Sequence, residues 1–443
     1  MSSPSSRPGT RKLHPLQLAA VIFLTVSGGP YGLEPLLSYA GSHGALLLLI
    51  ITPILWDIPA IFMVLELNSM MPVTGGYYQW VKRALGLRWA FYEGWWTWLY
   101  TFADLAIYPV MFVVYASFFF PEIAAWKTPV CLAIIWSGAL LNIRGIVPVG
   151  KTAVVLSVAV LLPFILLFGY FFMHHSGHAA LPRPSLHGIG LSSMGMALYT
   201  VMWNFIGWDN STTYAEEVEK PVRTYLISTS IGFAGVFVVY LLAVITAQLS
   251  GISPATLNDE GFPALGVLIG GPWLGALIAA GGMASTLGLF SAVLLSVSRI
   301  PKVMSDDKLL PPVIHRVHPK YNTPWVSIVI CAIVVSGLVL WTLADLILID
   351  VTVYGAGLLL EFISLIVLRY KAADDHRPFR IPLNTAGLCI MVLLPVTVFV
   401  IALTGAFSTS ERALGPTLFA IGALLSAEVV WQVTRLFHRK RAA

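Results

Sequence analysis

Long apolar runs follow one another along almost the whole chain, and no soluble fold can absorb them. Twelve are legible, at about 15–40, 44–71, 88–120, 128–142, 150–173, 192–219, 224–249, 270–300, 324–343, 346–369, 386–407 and 413–437. Each is near the ~20 residues that carry a helix across a bilayer. Within lipid every backbone polar group must be satisfied internally, and a run of this kind does so as a helix. Only 11% of the 443 residues are charged, against about 25% in soluble proteins, and the mean hydropathy is +0.82. The expectation is an all-α membrane protein of twelve transmembrane helices, with no separate soluble domain.

The formal charge of +5 does not indicate a nucleic-acid partner, because its distribution follows the membrane. With the N-terminus placed in the cytoplasm, 23 of the 26 Lys and Arg fall in inside segments, leaving only Lys127, Arg183 and Arg412 outside. This positive-inside pattern supports the count of twelve and puts both termini in the cytoplasm. Residues 1–14 are polar and Ser/Pro-rich and read as a disordered cytoplasmic tail, and 438–443 as a basic one. Cys131, Cys331 and Cys389 have neither disulfide nor metal spacing. His174, His175, His178 and His187 share an external loop and read as an exposed His-rich segment, so no metal site is expected.

Two of the spans are interrupted. Span one carries Ser27-Gly28-Gly29-Pro30-Tyr31-Gly32, three glycines and a proline at mid-membrane. Span six carries Trp203-Asn204-Phe205-Ile206-Gly207-Trp208-Asp209-Asn210. Broken backbone at this depth is tolerated where protein buries it or a cavity solvates it, and in transporters that cavity is the substrate site. Spans one and six are five apart, so two five-span units enter the membrane in opposite senses. The expected organisation is an inverted repeat, 15–173 and 192–370, with spans eleven and twelve (386–437) outside it. The ends of half-helices bring a polar site without many charges: free N–H groups favour anions, and free carbonyls favour cations. Ser27, Gly28, Gly29, Pro30, Gly32 and Gly207 are the expected unwound or hinge positions. Pro30 removes one N–H donor and weakens the first break as a carboxylate cradle.

These residues resemble the amino acid–polyamine–organocation superfamily, whose fold is of the LeuT type, a 5+5 inverted repeat with broken helices one and six. The SGGPYGLE break is similar to that of its polyamine:cation symporter branch. Pro72-Val73-Thr74-Gly75-Gly76-Tyr77 resembles a cytoplasmic P-x-x-G-G-Y segment of the superfamily. FIGWDNSTTYAEEVEKP (Phe205 to Pro221) resembles its span-six signature, and Ser298 to Trp325 its long cytoplasmic loop. Tyr354 to Phe362 and Arg377 to Pro382 resemble the polyamine branch around span ten. The resemblance implies a secondary transporter of small cations rather than an enzyme. It implies polyamines such as putrescine or spermidine, imported by proton symport through alternating access. A permease for cationic or neutral amino acids is the alternative.

Acids at bilayer depth cost ~2.5–3.5 kcal/mol each and so call for a reason. Mid-span Lys and Arg are almost absent here, so an acidic cavity favours a cationic substrate. Asp104, with Tyr108 one turn later, is the leading ammonium ligand, and the resemblance implies the same pair. Asp209 is either an N-cap for the second half of span six or a ligand and proton carrier. Glu34 and Asp57 are further proton-coupling candidates. Glu361 and Glu428 read as packing acids. Trp203, beside the second break, is placed where related antiporters put a gating aromatic. Trp208 and Tyr354 are candidate cage partners for an ammonium, Asn204 a polar group at the break, and Gly28, Gly29 and Gly207 backbone permission. Lys151 begins span five and fits the positive-inside pattern. Val160-Leu161-Leu162-Pro163 lacks the coupling lysine of many amino-acid transporters in the superfamily.

No cofactor is expected, the coupling ion being a proton, and no obligate protein partner. The partners are the small cation and the lipid of a plasma membrane, taken as a bacterial inner membrane. A bundle containing spans one and six is expected to rock against a scaffold of spans three and eight, with Ser285, Thr286 and Gly288 on the scaffold side. Nothing resembles a selectivity filter, and no H-E-x-x-H, G-x-S-x-G or P-loop pattern supports a membrane enzyme.

Overall fold

A computed structural model describes residues 13–145, 151–174, 183–298, 300–314, 316–408 and 411–442. Among them the regular structure is helical, with one isolated bridge between Leu13 and Val218. Nine helical stretches among the described residues are long and apolar enough to cross a membrane. The three expected spans outside that count have physical reasons to be. Spans one and six are each cut by a break, and span nine, Trp325–Leu338, has only 14 residues.

Span one runs Pro15–Val26, loses its helix, and resumes at Pro35. The loop expected after residue 40 is a single kink at Gly41, so Pro35–Thr52 holds both the end of span one and the start of span two. Span two continues through a π-helical turn, Pro53–Asp57, into Ile58–Met70. Spans three, four and five are Leu87–Ala116, Lys127–Ile143 and Lys151–His174. Span six is the α-helix Leu191–Phe205, then a break, then the 3₁₀ helix Asn210–Glu217. Spans seven and eight are Pro221–Ser250 and Pro272–Val297, and spans ten to twelve are Leu343–Lys371, Thr385–Phe407 and Glu411–Ala442. The last helix runs on through 438–442, where the charge pattern suggested a separate tail.

Three further α-helices were not expected, the shortest being Ile300–Asp306 after span eight. Gly76–Leu85 grows out of the G-G-Y segment. Pro254–Gly270, kinked at Gly261, lies between spans seven and eight. Its Ser253 cap and Pro254 at the first helical position are ordinary start signals.

The basic loops meet at one end of the bundle. There Arg83 pairs with Asp375, Lys82 with Asp307 at 2.6 Å and Arg88 with Glu428 at 2.7 Å. At the other end Ser38 bonds the Pro254 carbonyl, His43 that of Arg183, and Gln248 that of Ser42. Span three packs against spans eight and ten, and span one against span seven. Backbones come close where side chains vanish, as at Gly195 against Gly405 and Gly266 against Gly275.

The strongest tie at the basic end is buried. The Arg369 guanidinium of span ten donates to both Glu66 carboxylate oxygens of span two, at 2.5 and 2.6 Å. The Ile381 N–H donates to the same carboxylate at 2.9 Å. Removing one member of such a buried pair costs about 3–5 kcal/mol, because the other charge is stranded. The exposed pair Arg88–Glu428 has no such leverage. Glu66→Ala is therefore expected to lower the thermal unfolding midpoint of the solubilised protein by many degrees and Glu428→Ala hardly at all. Equal shifts in the two melting curves would refute this ranking.

Candidate functional site

The two breaks meet at the centre of the bundle. In the first, Ser27 to Glu34 are non-helical, and Gly28, Gly29 and Gly32 all have positive φ. Most of the backbone donors released there are taken locally. Ser27 and Gly28 N–H both reach the Phe23 carbonyl at 2.9 Å. Gly29 N–H donates to Ser27 Oγ at 3.0 Å, and Gly32 N–H to Glu34 Oε2 at 2.5 Å. Leu33 N–H reaches the Pro30 carbonyl, and Pro30 has no donor. Neighbouring spans hold the loop in place. Ser285 donates to the Gly28 carbonyl, Tyr31 to that of Ile278 at 2.8 Å, and Tyr240 to Ser27 Oγ at 2.7 Å.

In the second break Gly207 has φ 98°, and a Cβ there would lie 3.2 Å from the Thr25 carbonyl of span one. Tyr354 of span ten joins both sides of this break. Its hydroxyl accepts from Gly207 N–H at 3.4 Å and donates to Asp209 Oδ1 at 3.1 Å. Asp209 does not cap the second half of span six through its side chain. That half is 3₁₀ because the Asn-Ser-Thr-Thr run bonds its own backbone: Thr212 Oγ1 reaches the Asp209 carbonyl and Thr213 Oγ1 that of Asn210.

Between the breaks lies a cavity of only about 20 Å³, room for about one water. Thr25, Val26 and Ser27 line it from break one, Asn204, Ile206, Gly207 and Asn210 from break two, and Tyr100, Asp104, Tyr108 and Tyr354 from spans three and ten. Tyr108 donates to Asp104 Oδ1 at 2.7 Å. Trp203 also lines it and packs directly on Gly32. Gly32 belongs to a second, larger cavity of about 400 Å³ toward the end of the bundle opposite the basic loops, with Glu34, Tyr115, Tyr199 and Ile347. The Trp203 ring is thus the partition between the two spaces. Tyr115 donates to Glu34 at 2.9 Å.

Of the residues expected from sequence, the structure gathers Ser27, Asp104, Tyr108, Trp203, Asn204, Gly207 and Tyr354 around the central cavity. Asp209 stands just behind Tyr354. Gly28 and Gly29 do not line it; a Cβ at Gly28 would meet Ser285 and Leu289, which does line it, and one at Gly29 would meet Val160 and Tyr31. Trp208 turns back onto Phe233, and its indole approaches Asp57 in the π-turn of span two. Glu34 lies in the outer cavity. Thr286 and Gly288 are buried in span eight without lining the central cavity. Glu428 is the exposed partner of Arg88, and Glu361 is buried. His174 stacks on Tyr170, while His175 and His178 lie outside the described residues.

An acid beside the central cavity escaped the sequence reading. Asp350 of span ten is fully buried, and neither of its oxygens has a hydrogen-bond partner among the described residues. It lies within electrostatic reach of Asp104, with the Trp203 side chain beside both. The signal was available: an Asp inside the apolar run Leu346 to Val353, one turn before Tyr354.

Residues 13–422 match the profile of the family described as Amino acid permease. The chain belongs to that family. A probable polyamine transporter of Arabidopsis thaliana is 35% identical to the permease over 89% of this chain and 82% of its own length. Polyamine transporter PUT1 of Oryza sativa subsp. japonica is 33% identical over 99% and 80%. The methylthioribose transporter of Bacillus subtilis is 24% identical over 75% and 76%. Among solved structures, the Eremococcus coleocola manganese transporter, in complex with an aromatic bis-isothiourea substituted compound, aligns with a TM-score of 0.62. It covers 99% of the permease and 97% of that chain at 14% identity, which speaks for the fold alone. The permease is an integral membrane transporter of LeuT-type fold, not an enzyme.

The packing of Trp203 on Gly32 gives a sharp expectation. Gly32 has φ 94°, and a Cβ there would overlap the Trp203 ring. Gly41 has φ 62° and open space around it. Gly32→Ala is expected to abolish transport in membranes containing normal amounts of folded permease, while Gly41→Ala keeps most of it, the left-handed backbone alone costing ~1–2 kcal/mol. Substrate uptake by the two variants in proteoliposomes is the check, and full activity in Gly32→Ala would remove the partition.

Proposed function

We propose that the permease imports polyamines such as putrescine or spermidine by proton symport and alternating access. The observation that carries this reading is the fate of the N–H groups in break one. An amino-acid substrate needs donors for its carboxylate, and here Phe23, Ser27, Glu34 and Pro30 use those of Ser27, Gly28, Gly29, Gly32 and Leu33. Glu34 offers its own carboxylate to the loop. What the centre presents instead is acceptors: Asp104, with Asp350 close by, backed by Asp209. Among the described residues no Lys or Arg lines the central cavity. Such a site suits ammonium groups, with Trp203 and Tyr354 supplying aromatic faces worth ~0.5–2 kcal/mol each. The names of the plant relatives support the same substrate class.

The central space of about 20 Å³ cannot hold a diamine, so loading requires Trp203 to swing off Gly32 and join the site to the outer cavity. The repeats 15–173 and 192–370 supply the two halves of the motion, span one and the upper half of span six rocking against spans three, eight and ten. We place the basic end and both termini in the cytoplasm, on the side where positive charge is retained. A dication gains about 4.6 kcal/mol per 100 mV entering a negative interior, so the membrane potential adds to the drive of a proton gradient. The relatives named as polyamine transporters are plant proteins and lend nothing to the expectation of a bacterial membrane in particular.

The test is uptake of labelled putrescine, spermidine, lysine, leucine and methylthioribose into proteoliposomes, with pH and voltage set separately. Putrescine or spermidine is expected to enter and leucine to be excluded. Asp104→Asn is expected to lower polyamine uptake at least tenfold with the protein still folded. Leucine transport without putrescine transport would overturn the reading.

A further inference from the structure

On the basic-end side of the central cavity lies a second set of acids that neither the cavity nor any ion pair employs. Glu93 of span three is 2% exposed, Glu361 of span ten 1%, and Tyr77 of the G-G-Y helix 0%. One Glu93 oxygen sits 3.1 Å from where a Cβ at Gly357 would be, so its carboxylate is lodged against the turn of span ten that precedes Glu361. Glu93 and Glu361 interact electrostatically with each other and with Asp209, and the Tyr77 hydroxyl with all three. Glu93 Oε2, Glu361 Oε2 and Tyr77 Oη have no hydrogen-bond partner among the described residues. Among the described residues no cation stands against the set. Its facing groups are Asp209 from the break, Tyr354 from span ten and Tyr100 from span three. Arg369, two turns beyond Glu361, is already held by Glu66. Tyr78 and Lys82 of the G-G-Y helix both bond Asp307.

Three carboxyls this close and this deep cannot all be charged. Each isolated charge is costly there, and like charges exclude one another. The occupant that such a set takes, without a cavity of its own, is the proton. We infer that Glu93, Glu361 and Tyr77 form a proton-holding site on the basic side of the cavity, which receives the proton that Asp209 gives up when a cation binds in the cavity on the other side of Tyr354. The inference rests on the proposed cation site and deepens it. A cation held there, across the Tyr354 hydroxyl, favours the Asp209 anion. The proton released moves to the Glu93–Glu361 pair, with Tyr77 as hydrogen-bond donor to whichever carboxylate is ionised. When the 3₁₀ half of span six parts from the G-G-Y helix, water reaches the pair and the proton leaves on the same side as the substrate. Gly75 N–H on the Thr213 carbonyl, at 3.1 Å, is one of the contacts that keeps that route shut.

The experiment uses the full chain in proteoliposomes with a pH-sensitive dye inside. Wild type is expected to acidify the lumen as putrescine enters. The double variant Glu93→Gln/Glu361→Gln is expected to bind putrescine within about twofold of wild type and to exchange labelled for unlabelled putrescine. Its acidification should fall at least tenfold. Undiminished acidification in that variant, or wild-type uptake with none, overturns the inference. Should the double variant fail to fold, each single Gln variant is run in the same assay, and no effect from either also overturns it. A second readout needs no substrate: infrared difference spectra on titration should show a protonated-carboxyl band in wild type that the Gln variants lose. If wild type carries no polyamine, the substrate reading falls, while the infrared band still decides the proton site, and an unchanged band sinks it.

Discussion

The structure turns on what happens to backbone polar groups when a helix is opened in a medium without water. Each unmade bond at that depth is expensive, so a break survives only if the chain supplies replacements. In span one the replacements come from inside: the carbonyls of Phe23 and Pro30, the hydroxyl of Ser27 and the carboxylate of Glu34. In span six the hydroxyl of Tyr354 and the hydroxyls of Thr212 and Thr213 do the equivalent work. The proposed preference for a cation therefore rests as much on how the breaks are repaired as on the acids around them.

The acids form a column rather than a point. Glu34 lies in the outer cavity, Asp104 and Asp350 flank Trp203, Asp209 stands behind Tyr354, and Glu93 and Glu361 lie nearer the basic end. Cations are confined to the ends, where Lys82, Arg83, Arg88 and Arg369 are each engaged in ion pairs. A cation following the proposed route would therefore meet negative groups without ion-pair partners through the middle of the bundle and paired ones near the basic end. Asp57, in the π-turn beside Trp208, stands apart from the column and behind the second break.

Much of this was legible from the sequence because the bilayer imposes simple rules. Apolar length gave the spans, the Lys and Arg alternation gave their sense, and glycine with proline at mid-span gave the breaks. The parts that were missed follow no such rule. Asp350 and Glu93 sit inside apolar or aromatic runs with no motif around them, and only the packing of spans three, six and ten brings them to the site. Gly28 and Gly29 were placed at the substrate; Gly28 abuts Leu289, a lining residue of the central cavity, and Gly29 abuts Val160 of span five. Once the helix opens, the 3.6-residue period no longer tells which way a residue faces. The helix Pro254–Gly270 falls between the expected spans seven and eight; it kinks at Gly261, and Asn258, Asp259 and Gly261 line the outer cavity.

The 3₁₀ form of the second half of span six has a consequence for reach. At about 2.0 Å per residue its eight residues cover about 16 Å, a depth that would take about eleven residues of α-helix. This half of span six therefore reaches further per residue than the α-helices around it, drawn out like a ruler with wider divisions. Pro221, starting span seven four residues after Glu217, leaves no slack to make up the difference.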